Sequence, residues 1–133
     1  MPKLEDILRS DPPAGDYSFQ FDSVVAYADK TPGAIAIRGT IRSYDTNQTY
    51  NVSIYRSMSE TQTFAIANDL YALGVDLNEE IPSTDDVEAF AELYRSLFEE
   101  TPNVDVLVKV TQRRDTKYTN YVIKRPTDGA SLV

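Results

Sequence analysis

Val104-Asp105-Val106-Leu107-Val108-Lys109-Val110-Thr111-Gln112 is followed by Arg113-Arg114-Asp115-Thr116-Lys117 and then by Tyr118-Thr119-Asn120-Tyr121-Val122-Ile123-Lys124-Arg125. The valines at 104, 106, 108 and 110 recur at every second position, which places them on one face of a strand. The returning run is β-branched and aromatic, the composition that strands favour. Between them lies a polar turn over 113–117. The whole therefore reads as a β-hairpin. It carries Lys109, Arg113, Arg114, Lys117, Lys124 and Arg125, a concentration of cations in a chain of net charge −8.

Upstream of the hairpin the hydrophobic period is helical. Val87, Phe90, Tyr94, Leu97 and Phe98 form one apolar stripe, with Glu88, Glu92, Glu99 and Arg95 on the other side. This helix is expected to start near Thr84, where Asp85 and Asp86 suit its positive end. An earlier helix is expected from Ser59, where Ser59-Glu60-Thr61-Gln62 has the form of a capping box. Its apolar stripe is Phe64, Ala67, Leu70 and Tyr71, and Gly74 is a suitable stop.

Before residue 57 the period is two. A strand over about 16–27 alternates Tyr17, Phe19 and Phe21 with polar residues, then loses the alternation at Val24-Val25. A bulge near Asp22-Ser23 accounts for that break. Turn chemistry at 29–33 leads to a second strand over about 34–44. Ile35, Ile37, Gly39 and Ile41 share one face there, and Ala36, Arg38, Thr40, Arg42 and Tyr44 the other. A third strand over about 49–56 turns Tyr50, Val52 and Ile54 inward and Asn51, Ser53 and Tyr55 outward. Short connections make these three an antiparallel meander.

The expected fold is therefore mainly β with a helical insertion, in the order β1-β2-β3-α-α-β4-β5. Five short curling strands with a helix between the third and fourth match the five-stranded barrel of the OB-fold, whose helix plugs one end. The rival is an α+β sheet with both helices on one face. The expected domain covers 15–126 with an acidic helical insertion at 57–103. A loosely packed N-terminal arm (1–14) precedes it, and a short tail (127–133) follows.

Composition narrows the function. At 133 residues, 41% hydrophobic and 26% charged, the chain suits one domain with one core. It has neither cysteine nor histidine, so thiolate chemistry, the commonest general base and the commonest zinc ligands are missing. The pairs Glu79-Glu80 and Asp85-Asp86 lack calcium-loop spacing, and acids at a helix start have a capping explanation. No phosphate-cradling glycine loop or nucleophile elbow occurs. Neither an enzyme, a cofactor nor a metal is expected. The opening residues hold no apolar core of signal-peptide length, and no apolar run reaches membrane-spanning length, so a cytoplasmic location is expected.

The charges are segregated. Residues 57–103 hold eleven acids and one base, a net −10, whereas 107–126 hold six bases and one acid, a net +5. Charges much beyond about 8 Å are screened at physiological salt, so a ligand near the hairpin feels the local positive field.

Against this background the chain resembles the small single-stranded DNA-binding proteins encoded by phages, which have an OB-fold. The likeness spans roughly 12–126. Pro13-Ala14-Gly15-Asp16-Tyr17 looks like that family's lead-in to its first strand. Leu70-Tyr71-Ala72-Leu73-Gly74-Val75 looks like the end of the helix after the third strand. Val104–Val110, the basic turn and Tyr121–Arg125 look like the closing hairpin. The last residues, Asp128–Val133, depart from the acidic tail through which many single-strand binders recruit replication proteins. The resemblance implies binding of single-stranded DNA in the cytoplasm of a host cell, in replication or recombination, with homo-oligomers and replication or recombination proteins as further partners.

A single-strand site needs cations that track phosphates and flat side chains on which bases stack. The candidates are Arg38, Arg42, Tyr44 and Tyr55 from the second and third strands, Lys30 from the loop before the second, and Lys109, Arg113, Arg114, Lys117 and Tyr118 from the hairpin. In an OB-fold these positions converge. Exposed strand faces also carry Arg and Lys simply for solubility and to block edge pairing. Tyr17, Tyr50, Tyr71 and Tyr94 lie on apolar stripes and are assigned to the core, while Tyr121 shares parity with Ile123 and is open to either face. The other function class is a protein-binding module, in which the acidic helical segment engages a basic partner or imitates DNA. A structural or assembly protein is the third.

Overall fold

The structure is a computed structural model and describes residues 12–29, 31–59, 63–114 and 116–124, without the side chains of Gln112, Arg113, Thr116 and Lys117. Lys30, most of the expected arm, the body of the expected capping box and the C-terminal tail lie outside the described residues. Among the described residues seven elements follow in order: β1 (Gly15–Tyr27), β2 (Ala34–Ser43), β3 (Thr49–Ser57), α1 (Thr63–Ala72), α2 (Val87–Glu100), β4 (Asn103–Arg113) and β5 (Thr116–Lys124). The five strands form one antiparallel sheet in the spatial order β3-β2-β1-β4-β5.

β1 is central because both its edges are paired, to β2 and to β4. The ladder with β2 slips between Phe21 and Ser23, where the broken alternation places a bulge. Tyr17 and Phe19 point inward before it, and Val24 points inward after it. One extra residue thus switches the parity of the strand, and both halves keep an apolar side on the core. Across from the bulge, Gly39 sits beneath the Phe19 ring. A Cβ there would lie 2.3 Å from the Gln20 carbonyl oxygen and 2.6 Å from the ring. Only a glycine lets the two strands approach this closely.

The inner face of the sheet is a single core. Phe19, Ile37, Ile41, Ile54, Val106 and Ile123 are fully buried there with Phe90, Tyr94 and Phe98 of α2. Phe98 stacks on Phe21, ring centroids 4.8 Å apart, and meets Phe19 edge-on at 5.7 Å. α2 begins at Val87, three residues later than the composition suggests. Asp86 is its N-cap and accepts from the Ala89 N–H at 3.1 Å.

α1 buries a different side from the one its stripe suggests. Ile66, Asp69, Leu70 and Ala72 are buried. Phe64 and Tyr71 are exposed, so the assignment of Tyr71 to the core does not hold. The cause is electrostatic. Arg56 continues the inward parity of Tyr50, Val52 and Ile54, and its guanidinium is buried. Nε donates to Asp69 Oδ2 at 2.7 Å and Nη2 to Asp69 Oδ1 at 3.1 Å. The Tyr94 hydroxyl donates to the same carboxylate at 2.8 Å. A buried arginine demands a carboxylate, and that demand sets the rotation of α1.

The same cluster explains why the sheet does not close. The expected barrel requires β3 to pair with β5, but both are edge strands. Arg56 Nη2 donates to the Tyr121 carbonyl of β5 at 2.7 Å, and Asn68 Nδ2 to the Ile123 carbonyl at 3.1 Å. Side chains of β3 and α1 thus serve acceptors on the edge of β5 that a neighbouring strand would otherwise take. The two edges face each other across the length of one arginine side chain. The hairpin turn is also tighter than expected: β4 runs to Arg113 and β5 starts at Thr116, with Arg114 at φ 55°.

Burial, with Asp69 beside it, holds the Tyr94 phenol well above its ordinary value of 10.0. The folded state therefore keeps a proton that the unfolded chain releases near pH 10. The associated stability is complete below that pH and is lost as pH rises through the folded value. Unfolding by urea should become markedly easier above about pH 10. Tyr94→Phe should lose most of that slope, leaving the smaller share from Tyr17, which burial also raises. At neutral pH the variant should be less stable by about 1.5–3 kcal/mol, because Asp69 loses a donor.

Candidate nucleic-acid interface

The face of the sheet opposite the core is built by the pairing register. Arg38 stands between Ser23 and Ser53, Thr40 between Gln20 and Asn51, and Arg42 between Ser18 and Thr49. Ser18 also pairs with Asp105 of β4, and along β4 the same parity leads to Leu107 and Lys109. β5 adds Asn120 opposite Lys109 and Tyr118 opposite Thr111. Arg38, Arg42, Tyr55, Lys109 and Tyr118 thus share one side of a single sheet, and all five are exposed.

Tyrosines and cations are interleaved along that face. Tyr55 stands at one end, stacked beside Tyr27 with centroids 6.2 Å apart. Arg38, Arg42, Tyr44, Lys109 and Tyr118 follow towards the hairpin. Arg42 is level with Asp105, while Arg38 and Lys109 each lie four residues away in opposite senses, so about 26 Å separates them at about 3.3 Å per residue. The β4–β5 ladder runs five residues past Val108, the last partner of β1, so the hairpin extends beyond the meander. Arg114 is exposed in its turn, and Arg113 and Lys117 occupy backbone positions beside it.

Among the described residues three acids interrupt the strip: Asp22 stands exposed at the bulge beside Arg38, and the other two have partners. Lys124 Nζ lies 3.1 Å from Asp16 Oδ1, and the Tyr44 hydroxyl donates to Asp105 Oδ1. The tyrosine ring itself is 57% exposed. α2 packs on the inner face, so its exposed Glu88, Glu92, Glu99 and Glu100 lie on the far side of the sheet from the bases. Of the other acid pairs, Asp86 caps α2 and Glu79 accepts from the Asp76 N–H.

Several residues escaped the reading of the sequence. Tyr27 reaches the outer face only because the bulge reverses the parity of β1. Tyr50 is half-buried, while Tyr17 and Tyr94 are fully in the core as assigned. Tyr121 pairs with buried Val108 and packs against the core. Arg56 belongs to the fold rather than to the interface, and its parity with Tyr50, Val52 and Ile54 was the available signal. Among the described residues no helix is long and apolar enough to cross a membrane. No protein-family model matches the chain, and no curated protein matches it.

Proposed function

We propose that the protein binds single-stranded DNA with little dependence on sequence and shields it during phage replication or recombination in the host cytoplasm. The observation that carries this reading is the interleaving of tyrosines and cations along one side of the sheet, with the carboxylate-rich helix on the other. Stacking on exposed aromatics stabilises each bound base by about 1–3 kcal/mol and tolerates any sequence. A strip about 26 Å long accommodates at least the shortest OB-type site, roughly four nucleotides. The strand order and the near approach of β3 to β5 support an OB-like architecture in which α1 and Arg56 replace the closing strand pair.

The test is a polarisation titration with labelled oligo(dT) of roughly 30 nucleotides, several site lengths, between about 50 and 200 mM salt. Affinity should fall steeply, because phosphate contacts release counterions. Arg42→Ala with Lys109→Ala should flatten the logarithmic salt slope by about 1.4, at about 0.7 per phosphate contact. Arg113→Ala with Arg114→Ala should weaken binding to all sequences alike. An unchanged slope and affinity in both double variants would remove the strip from the reading.

Exposed Phe64, Leu77 and Ile81 in the acidic segment favour a second reading, a surface for a basic protein partner. Recovery of such a partner with no oligonucleotide shift at low salt would support it instead.

A further inference from the structure

The outer face carries a recess beside the β1 bulge. It is a concavity of about 510 Å³, and Gln20, Asp22, Arg38, Thr40, Asn51 and Ser53 present its polar groups. Phe21, Gly39 and Val52 complete the lining. The volume falls in the range of small-ligand sites, ample for one nucleobase. Its chemistry differs from the rest of the strip. Asp22, the residue extruded by the bulge, is an exposed carboxylate next in register to Arg38. Neither has an ion-pair partner among the described residues. The Thr40 hydroxyl donates to Asn51 Oδ1 at 3.2 Å, which leaves the Asn51 amide nitrogen as a donor.

A carboxylate at this point disfavours phosphate, so the recess is not a continuation of the phosphate track. We propose that it is a base-reading subsite with a preference for guanine. Bases in single strands are read on their Watson–Crick and Hoogsteen edges. Guanine offers two adjacent donors, N1–H and N2–H, to a carboxylate on the first edge. On the second it offers two adjacent acceptors, O6 and N7, to a guanidinium. Asp22 and Arg38 supply that complementary pair from neighbouring strands. Cytosine and adenine satisfy the carboxylate with one amino group only, and thymine offers a single donor. The inference rests on the single-strand reading for its biological ligand, but the chemistry of the recess stands by itself.

Two measurements separate the claims. The first titrates the full chain with oligo(dT) carrying one central dG, dC or dA. The dG oligonucleotide should bind about tenfold tighter than the dC one, the discrimination expected of a bidentate contact. In Asp22→Asn, and separately in Arg38→Met, the ratio should fall towards one. Binding of all three oligonucleotides with equal affinity overturns the guanine subsite and leaves the single-strand reading in place. The second follows the backbone amide signals of Gly39, Asn51 and Ser53 on addition of GMP or CMP. Shifts with GMP and not CMP, in a protein that binds no oligonucleotide, support the subsite and overturn the single-strand reading. No selective shift and no oligonucleotide binding overturn both.

Discussion

Asp69→Ala should destabilise the protein by about 3–5 kcal/mol, because it leaves the Arg56 guanidinium buried without its counter-ion. Arg56 loses the acceptor for Nε and one of the two acceptors for Nη2. It retains the Tyr121 carbonyl and the Tyr55 carbonyl, at 2.7 and 3.3 Å. Tyr94 also loses the acceptor for its hydroxyl. Total stabilities of domains this size run to about 5–15 kcal/mol, so the variant should stand close to the folding threshold. Thermal and urea denaturation give the answer directly. Desolvation opposes charge on both partners, raising the Asp69 carboxyl and weighing against the Arg56 cation, and it is their mutual attraction that keeps the pair ionised. Asp69→Leu combined with Arg56→Met removes both charges and should recover much of the loss. It should not recover all of it, because the Tyr121 carbonyl then lacks its donor. An Asp69→Ala protein within about 1 kcal/mol of the original would mean that the guanidinium reaches water after all, contrary to the burial argument.

Gly39→Ala is the second large effect, expected at about 3 kcal/mol, the upper end for overpacking. One obstacle is the Gln20 carbonyl oxygen, 2.3 Å from the new Cβ, and it belongs to the strand backbone rather than to a side chain that can swing away. The Phe19 ring, at 2.6 Å, is fully buried and has nowhere to move. The β1–β2 ladder must therefore open on either side of the bulge. The urea midpoint should fall, and amide exchange should quicken first at residues 19–23 and 37–41. The recess beside the bulge is lined by the same backbone, so any dG preference should fall with it. Retention of full stability would show that the ladder can spread without loss, and the glycine would then lose its structural explanation.

Much of this architecture is legible in the chain itself. Alternation marks β1, β2 and β3, and the lost alternation at Val24-Val25 marks the bulge. A strong apolar stripe marks α2, although its start is capped by Asp86 rather than lying near Thr84. These features are local: each follows from the amphipathicity of a single element and the period of its backbone. They establish the element order, the meander, the closing hairpin and the division of charge between residues 57–103 and 107–126.

Tertiary contact decided the rest. Arg56 and Asp69 lie 13 residues apart, and Arg56 and the Tyr121 carbonyl 65 apart. The parity of Arg56 marks it as facing inward, but nothing in either segment names its partner, and burial of a charge depends on the partner that arrives from elsewhere. That pairing turned α1 onto an unexpected side, exposing Phe64 and Tyr71, and kept β3 from pairing with β5. The outer strip has the same origin. Its cations and tyrosines come from β2, β3, β4 and β5, and they share a side only because β1 joins the meander to the hairpin in one register. Composition supplied the residues of this surface; the ladder through β1 decided that they would meet.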